Sequence, residues 1–480
     1  MKNLIILELN EVPYRVLDHY VGLRPQSNLA KIFPKSTQYL TSTEDTLTLD
    51  PWTSWPTLHR GVPDTMHGIL HLGQVLKNQD DSFPPIWKIL KKSGINVGVF
   101  GSLHTSTVPD DFTDYSFYVP DYFANDLHAS PKSLLPFQEL NLRMTRDSAR
   151  NVSRKLPIGQ ALKFLATAPM LGVTAKTAAT IGKQLVGEVS NKNLKVRRRN
   201  LQAVLSTDLF MKQLRTTKPQ FATFYTNHVA AAMHRYWAAT FPKDYATGTL
   251  EADWVEKYGM EIVAAMDTFD NMLGQVLSFT NKNPDYSLAI CSSMGQGAVP
   301  AEHTDDFLTI ADVPKFMKAL GVDDSKWEMK PAMVPCQCVV VANDVKDRFI
   351  EKLKSLSIDG NSMQVSRSPV APMSFDEGDL GFFQLFIQFD SYAGGKMAYL
   401  NGQPIDFATL GLGTMAHEDG VNCTARHVPE GSLIVYSPGK NNSETEFRKK
   451  ISTTDFVPSV LSHFNLTVPA YLPGTSSIAF

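Results

Sequence analysis

Residues 285–297 read DYSLAICSSMGQG, an apolar run that ends abruptly in small and polar side chains. The run SLAIC predicts a buried strand, and residues 260–280 before it carry apolar side chains at helical spacing. A helix followed by a buried strand is the repeating unit of a parallel α/β sheet. The stretch Ser292-Ser293-Met294-Gly295 would then lie at the carboxyl end of that strand, where ligands bind in such sheets.

The same alternation of helix and strand extends along the chain. NLIILEL (3–9) predicts a strand buried on both faces, and PPIWKILKKSGINVGVFG (84–101) predicts a helix, a glycine stop and a strand. GSLIVYSPG (431–439) predicts a further strand, and TTDFVPSVLSHFNL (453–466) predicts a capped helix. We therefore predict an α/β fold with a mostly parallel sheet and helices on both faces.

Two segments interrupt this alternation. Residues 135–220 are helical in pattern and basic, which indicates a lid, a dimer arm or a membrane-surface patch, or an ordinary helical insertion with a solvated basic face. Residues 318–405 predict a small α+β cap subdomain. The predicted core α/β domain then consists of residues 1–134, 221–317 and 406–480.

Composition limits the partners and the compartment. The 480 residues carry a net charge of −2, so no overall positive field would attract nucleic acid, and we predict no nucleic-acid partner. Four cysteines are too few for a disulfide scaffold. The first residues, MKNLIILELNEVP, are too short an apolar run for a signal peptide, and no run approaches about 18 apolar residues. We expect a cytoplasmic protein.

Five motifs in order carry a family resemblance: GVPDTMHGI (61–69), the 84–101 unit, DTFDNMLGQVL (267–277), ARHVPEGSLIVYSPG (425–439) and STTDFVPSVLSHFNLTVPAYLPG (452–474). Together they resemble the alkaline phosphatase superfamily, in its type I phosphodiesterase/nucleotide pyrophosphatase or sulfatase-like branch. The resemblance implies an alkaline phosphatase-like fold and hydrolysis of phosphate or sulfate esters beside two metal ions.

The metal ligands of that family are only partly present. One family metal is held by an Asp after the first strand, by the nucleophile and by an Asp-His pair. The first Asp corresponds to Asn10, and the Asp-His pair corresponds to Ser293 and Met294. A thioether and neutral side chains are poor ligands for a hard divalent ion, so this site is absent or rebuilt. For the other metal, His234 and His427 match, and His228 lies nearby. We predict at most one divalent metal, Zn or Mn, on His228, His234 and His427, with His303 and His417 as further candidates.

The nucleophile position falls in TEDTLTLDPWTSWPTLHRG (43–61). Asp50-Pro51 predicts the cap and first turn of a helix, whose N–H groups would cradle a phosphate or sulfate. We assign Thr53 or Ser54 as the nucleophile. Packing of the two tryptophans and capping by the hydroxyls is the alternative. The other predicted catalytic residues are His59 and Arg60, and the predicted substrate-binding residues are Asn10, Glu11, Asn227, Arg235, Ser293 and Gln296.

Three functions remain open at this point. The first is a hydrolase or transferase acting on a small phosphorylated or sulfated substrate, in which the histidines hold one metal or act as acid and base. The second is a degenerate relative that binds an anionic ligand without turnover. The third is a scaffold that uses the basic segment 135–220 for contact with a membrane surface or with a second copy.

Overall fold

The computed structural model describes residues 3–480 except for gaps at 71–73, 75, 106–107, 125, 149–157, 247, 249, 300–305, 331–336, 359–360, 363–364, 368–380, 386–396, 417–422 and 440–446. His303 and His417 lie outside the described residues.

The strands are, in chain order, β1 Asn3–Leu9, β2 Thr37–Ser42, β3 Val97–Phe100, β4 Phe117–Val119, β5 Phe221–Thr226, β6 Tyr286–Cys291, β7 Gly295–Ala298, β8 Asp306–Ile310, β9 Trp327–Lys330, β10 Gln337–Val341, β11 Leu356–Ile358, β12 Asn361–Ser362, β13 Val365–Arg367, β14 Gly381–Leu385, β15 Met397–Leu400, β16 Gln403–Asp406, β17 Leu412–Ala416, β18 Ala425–Val428, β19 Leu433–Tyr436 and β20 Lys449–Ser452.

The α-helices are α1 Tyr14–Leu23, α2 Asn28–Ile32, α3 Pro51–Arg60, α4 Asp64–His67, α5 Lys77–Ser82, α6 Ile86–Lys92, α7 Leu135–Ser148, α8 Ile158–Leu171, α9 Ala175–Ser190, α10 Arg199–Thr217, α11 His228–Thr240, α12 Ala252–Tyr258, α13 Glu261–Lys282, α14 Val313–Ala319, α15 Asn343–Lys354, α16 Phe407–Leu410 and α17 Phe456–His463.

Eight strands form the central sheet in the order β20-β2-β19-β6-β1-β5-β3-β4. The strand β1 runs parallel to β5 and to β6, and β3 runs parallel to β4 and β5. Only β19 reverses direction, since it pairs antiparallel with both β2 and β6. The predicted mostly parallel α/β sheet is therefore confirmed.

The central strand β1 is buried on both faces. Ile5 and Leu7 point into one apolar cluster, which also contains residues of α1, α11 and α13. Leu4 and Ile6 point into a second cluster, which contains residues of α3, α6 and α17. Alternate side chains of a strand face opposite sides of a sheet, so helices cover both faces, as the apolar run 3–9 predicts.

The two segments that interrupt the alternation differ in how they pack. In the segment 135–220, Leu209, Phe210 and Leu214 of α10 belong to the apolar cluster that covers the sheet. Between β8 and β17, two four-stranded antiparallel sheets surround α15 and a separate apolar cluster. The division into domains stays a prediction. Over the part of the chain that is described, helices long and apolar enough to cross a bilayer are absent.

Candidate metal centre

A carboxylate and two imidazoles meet beside the central strands. Nε2 of His234 lies 3.0 Å from Oε2 of Glu11, and Nε2 of His427 lies 3.3 Å from the same oxygen. One ligand atom from each residue lies within 4.8 Å of the other two. Glu11 is buried and the histidines are half-buried. Two imidazoles and one carboxylate form a donor set that holds Zn²⁺ and leaves a position for water or substrate.

Neighbouring strands bring the three residues together. Glu11 follows β1, and His234 lies on α11, which begins just after β5. His427 lies on β18, whose pairing with β7 places it opposite Gln296, just beyond β6. Because β6, β1 and β5 are adjacent in the sheet, their carboxyl ends converge at this point.

Two backbone features allow this approach. Gly295 packs against the segment before β19, where an added Cβ would lie 2.2 Å from the carbonyl oxygen of Glu430. Glu11 has a φ of 59°, in the left-handed region that residues with a side chain seldom adopt. Such a conformation is strained and persists only where the surrounding structure compensates for it. Strained residues of this kind are concentrated at functional sites.

Backbone carbonyls hold the second ring nitrogen of each histidine. Nδ1 of His427 donates to the carbonyl oxygen of Leu49 at 3.0 Å, and Nδ1 of His234 donates to that of Ala425 at 2.9 Å. Since a carbonyl only accepts, the neutral rings carry their proton on Nδ1 and their lone pair on Nε2. Two lone pairs facing one carboxylate oxygen need a cation between them, either a ring proton or a metal ion. Carbonyls orient metal-binding histidines in the same way.

Electrostatics favour the charged forms of this group in the metal-free protein. Burial alone would raise the pKa of the Glu11 carboxyl, but His427 and His234 outweigh it and hold that pKa well below its usual value. Burial alone would lower the pKa of His234, but Glu11 raises it well above its usual value. The pKa of His427 is raised in the same way, with a smaller contribution from Asp50. The three side chains together therefore favour the binding of a proton or of a metal cation.

Two amide side chains donate to the Glu11 carboxylate, and a third accepts from one of them. Nδ2 of Asn10 donates to Oε1 of Glu11 at 2.6 Å and to Oδ1 of Asn227 at 2.8 Å. Nε2 of Gln296 donates to Oε2 of Glu11 and to the carbonyl oxygen of Ala230. Oε1 of Gln296 is buried with no hydrogen-bond partner among the described residues, so it can accept from a water or from a ligand hydroxyl. These contacts orient Glu11, whereas the predicted substrate contacts of the three amides stay a prediction.

The positions of the other family metal site are neutral and bond to one another. Oγ of Ser54 lies 2.8 Å from Oγ of Ser293, and Nε1 of Trp55 donates to Oδ1 of Asn10 at 2.7 Å. Ser54 and Ser293 are fully buried, as is Met294. Within the described ranges, the Glu11–His234–His427 group is the one cluster of acidic, His or Cys side chains arranged to hold a metal.

The N-terminus of α3 is filled by its own cap. Oδ1 of Asp50 accepts from the N–H of Trp52 at 3.0 Å, and the Asp50 carbonyl accepts from the N–H groups of Thr53 and Ser54. Pro51 has no N–H to offer. The Asp50 carboxylate thus takes the N–H of Trp52, and the predicted phosphate cradle at this helix end stays a prediction. Oδ2 of Asp50 lies 4.0 Å from Nδ1 of His427, and burial raises the pKa of Asp50.

Two predicted catalytic residues at the far end of α3 have structural partners instead. Nε2 of His59 lies 2.8 Å from Oε1 of Glu8, and both side chains are buried. Arg60 is also buried, where it donates to Asp80 at 2.7 Å and to two backbone carbonyls. In the described structure these side chains contact Glu8 and Asp80, and the catalytic roles predicted for His59 and Arg60 stay a prediction. Thr53 is fully buried, and its Oγ1 has no hydrogen-bond partner in the described part of the chain.

The predicted ligand His228 lies elsewhere. Its Nδ1 is 2.6 Å from Oγ1 of Thr226, and its Nε2 is 3.1 Å from the carbonyl oxygen of Ala265. Burial lowers its pKa to about 4, so the ring is neutral and both its nitrogens are occupied. Glu11 takes its place in the ligand group. Arg235 is largely buried on α11, and its predicted contact with substrate stays a prediction.

Sequence reasoning identified Glu11 only as a substrate contact and Asp50 only as a helix cap. Glu11 follows a buried parallel strand directly, and this position indicates a site residue because the carboxyl ends of parallel strands meet at one edge of the sheet. For Asp50 the signal is weaker, because an Asp before Pro is fully explained by capping.

Solved structures similar to the chain include three hydrolases. Murine ectonucleotide pyrophosphatase/phosphodiesterase 5 has 11% identity over 98% of this chain and 96% of its own, with a TM-score of 0.43. Phosphonoacetate hydrolase from Sinorhizobium meliloti 1021, in complex with phosphonoformate, has 13% identity over 94% and 93%, with a TM-score of 0.39. A variant of TAB5 alkaline phosphatase with Mg bound has 10% identity over 97% and 98%, with a TM-score of 0.36.

Neither a protein-family model nor a curated protein matches the chain.

Proposed function

We propose that the protein is a metal-dependent hydrolase of a phosphate or sulfate ester, with one Zn²⁺ or Mn²⁺ held by Glu11, His234 and His427. The observation that supports this most directly is the convergence of two Nε2 atoms on one carboxylate oxygen, with both Nδ1 atoms held by carbonyls. Imidazole suits Zn²⁺, and the carboxylate adds the negative charge that such a site needs.

A divalent ion at this position would polarise the ester and make a bound water acidic near neutral pH. We assign the role of proton acceptor to Asp50, whose Oδ2 lies 4.0 Å from Nδ1 of His427, on the side of the ring opposite to Nε2. Burial raises the pKa of Asp50, which makes its carboxylate a better general base. Ser54 bonds only to another serine hydroxyl among the described contacts, so water is the nucleophile in this proposal rather than Ser54 or Thr53.

The substrate class follows from the resemblance of the motif order to the alkaline phosphatase superfamily. That resemblance implies a small phosphorylated or sulfated molecule. The neutral pair Ser54 and Ser293, in place of the ligands of the other metal, supports a mononuclear site.

The proposal is tested with protein stripped by a chelator and reloaded with Zn²⁺ or Mn²⁺. We expect hydrolysis of bis(p-nitrophenyl) phosphate or p-nitrophenyl sulfate only after reloading. Asp50→Asn keeps a capping side chain, so it should retain the fold and the metal while kcat falls by about 100-fold or more. Reloaded protein that hydrolyses neither ester would reject the proposed activity.

A second candidate is a relative that binds an anionic ligand without turnover. The observation that favours it is the neutral, hydrogen-bonded pair Ser54 and Ser293 at the position of the other family metal, since loss of metal ligands removes the means of turnover. In this case reloaded protein would bind inorganic phosphate or sulfate in calorimetry, and no ester would be cleaved.

A further inference from the structure

The helix α9 turns its polar side toward the protein and its apolar side toward solvent. Thr177 and Glu188 are 4% and 5% exposed, whereas Val186 and Val189 are 72% and 86% exposed. The exposed residues along the outward side are Ala175, Ala179, Gly182, Leu185, Val186 and Val189, which we call the α9 face. A helix on the surface of a globular protein normally has the opposite orientation.

Polar contacts fix this orientation. Oε2 of Glu188 accepts from Nε of Arg198 at 2.8 Å, and Oε1 accepts from Nε2 of Gln184 at 3.1 Å. At the other end, the side chain of Thr174 caps the helix by accepting from the N–H of Thr177. Rotating α9 to bury its valines would turn Glu188 to solvent and leave the largely buried Arg198 without its partner. The apolar side is therefore held outward.

The exposed charged side chains of α9, and that of the nearby Lys192, are all positive. Lys176 and Lys183 are exposed along one flank, and Lys192 is exposed just beyond the end of the helix. Glu188 is the one acidic residue of α9, and it is turned inward. Among the described residues, no acidic side chain pairs with any of these three lysines. The α9 face thus combines exposed valines with a basic rim, the three lysines Lys176, Lys183 and Lys192, which lack acidic partners among the described residues.

We propose that the α9 face docks on an anionic lipid surface. The valines and Leu185 would enter the boundary between headgroups and acyl chains, while the lysines would extend to the lipid phosphates. A second copy of the chain fits less well, because a symmetric contact would bring the two basic rims together without an acid to meet them. This inference is independent of the proposed hydrolase activity.

The test is sedimentation of the full chain with vesicles of phosphatidylcholine alone and of phosphatidylcholine mixed with phosphatidylserine. We expect binding to the mixed vesicles that weakens as salt is added. The double variant Val186→Ser with Val189→Ser should lose most of the bound fraction. The double variant Lys176→Gln with Lys183→Gln should bind about tenfold more weakly, since each lysine near an anionic surface contributes to the attraction.

Matched controls separate this effect from general changes of the surface. Met329→Ser removes another exposed apolar side chain, and Lys315→Gln with Lys318→Gln removes two exposed lysines of α14, and both should bind as the wild type does. Circular dichroism checks that each variant is folded. The proposal is overturned if no vesicle binds the wild type, or if the α9 variants bind as well as it does. It is equally overturned if light scattering shows a dimer that the valine variant converts to a monomer.

Discussion

The backbone carbonyl of Leu49 accepts a hydrogen bond from Nδ1 of His427 at 3.0 Å. The loop that carries Leu49 is anchored by Asp64, whose Oδ2 accepts from the N–H groups of Thr46 and Leu47 at 2.9 and 2.6 Å. Asp64 is fully buried on α4 and touches none of the three candidate ligands in the described contacts. It therefore determines the orientation of the His427 ring indirectly, by fixing the carbonyl to which the ring donates.

Asp64→Asn is expected to weaken metal binding. Asp64 accepts N–H groups at both carboxylate oxygens, from Thr46 and Leu47 at Oδ2 and from Thr65 at Oδ1, and an amide would turn an NH2 group toward one of these sets. The loop and the Leu49 carbonyl should then shift, and groups of this kind typically alter metal affinity by about 10- to 100-fold. Competition with a chromogenic chelator measures the affinity.

The control for this variant is Asp270→Asn, because Asp270 also accepts N–H groups, from Asn28 and Leu29, and has no described contact with the three candidate ligands. Both variants should lose stability, and only Asp64→Asn should lose metal affinity. Equal metal affinity in the two variants would show that the Leu49 loop does not position His427.

Glu11→Gln is expected to change how the stability of the metal-free protein depends on pH. The pKa of His234 and that of His427 are raised, so their contribution is present below the ordinary value of 6.5 and is lost as pH rises through the raised pKa. The pKa of Glu11 is lowered, so its contribution is present above 4.5 and is lost as pH falls through the lowered pKa.

The free energies of unfolding of wild type and Glu11→Gln should therefore differ most between pH 4.5 and 6.5. Urea denaturation at a series of pH values measures this difference. A difference that does not vary with pH would mean that the three side chains are not coupled as the distances indicate.

Glu8→Gln is expected to destabilise the fold without affecting the metal centre. Glu8 and His59 are hydrogen-bonded in the core at 2.8 Å, and disturbing a buried hydrogen bond lowers the free energy of unfolding by about 1–3 kcal/mol. The comparison is Glu430→Gln, which disrupts the exposed pair with Lys450 and should change stability by less than about 1 kcal/mol. If folded Glu8→Gln protein loses its metal, the Glu8–His59 pair contributes to the metal site, and this prediction is wrong.

Thr53→Val and Ser54→Ala test the nucleophile. Oγ1 of Thr53 is buried without a described partner, so an apolar side chain of the same shape should leave both stability and hydrolysis almost unchanged. Ser54→Ala removes the hydrogen bond to Ser293 and should lower the free energy of unfolding by about 1 kcal/mol, with the metal retained. Complete loss of hydrolysis in either metal-loaded variant would identify that hydroxyl as the nucleophile instead of water.

The sequence was most informative where local periodicity decides the structure. The run 3–9 is the strand β1 with the bounds that its apolar residues predict, and the helix before SLAIC forms as α13. The apolar run and the helical spacing are both patterns among residues close together in the chain. A central strand of a parallel sheet is buried on both faces, so its side chains must be apolar on both sides.

The site was only partly predictable, because its contacts join residues that are far apart in the chain. His228 and His234 are six residues apart, which at about 100° per residue leaves their side chains about 120° apart around α11. His234 therefore faces Glu11, while His228 faces Ala265 on α13. The left-handed backbone at Glu11, which directs its carboxylate to the two histidines, has no local sequence signal, since glycine and asparagine are the usual residues there.

The central claim is that Glu11, His234 and His427 hold one divalent ion. Elemental mass spectrometry of protein equilibrated with Zn²⁺ or Mn²⁺ and freed of unbound metal tests it most directly, with His234→Ala, His427→Ala and His228→Gln measured beside the wild type. The account predicts about one ion per chain in the wild type and in His228→Gln, and almost none in the other two variants. Metal-free wild type, or an equal metal content in all four proteins, would contradict it.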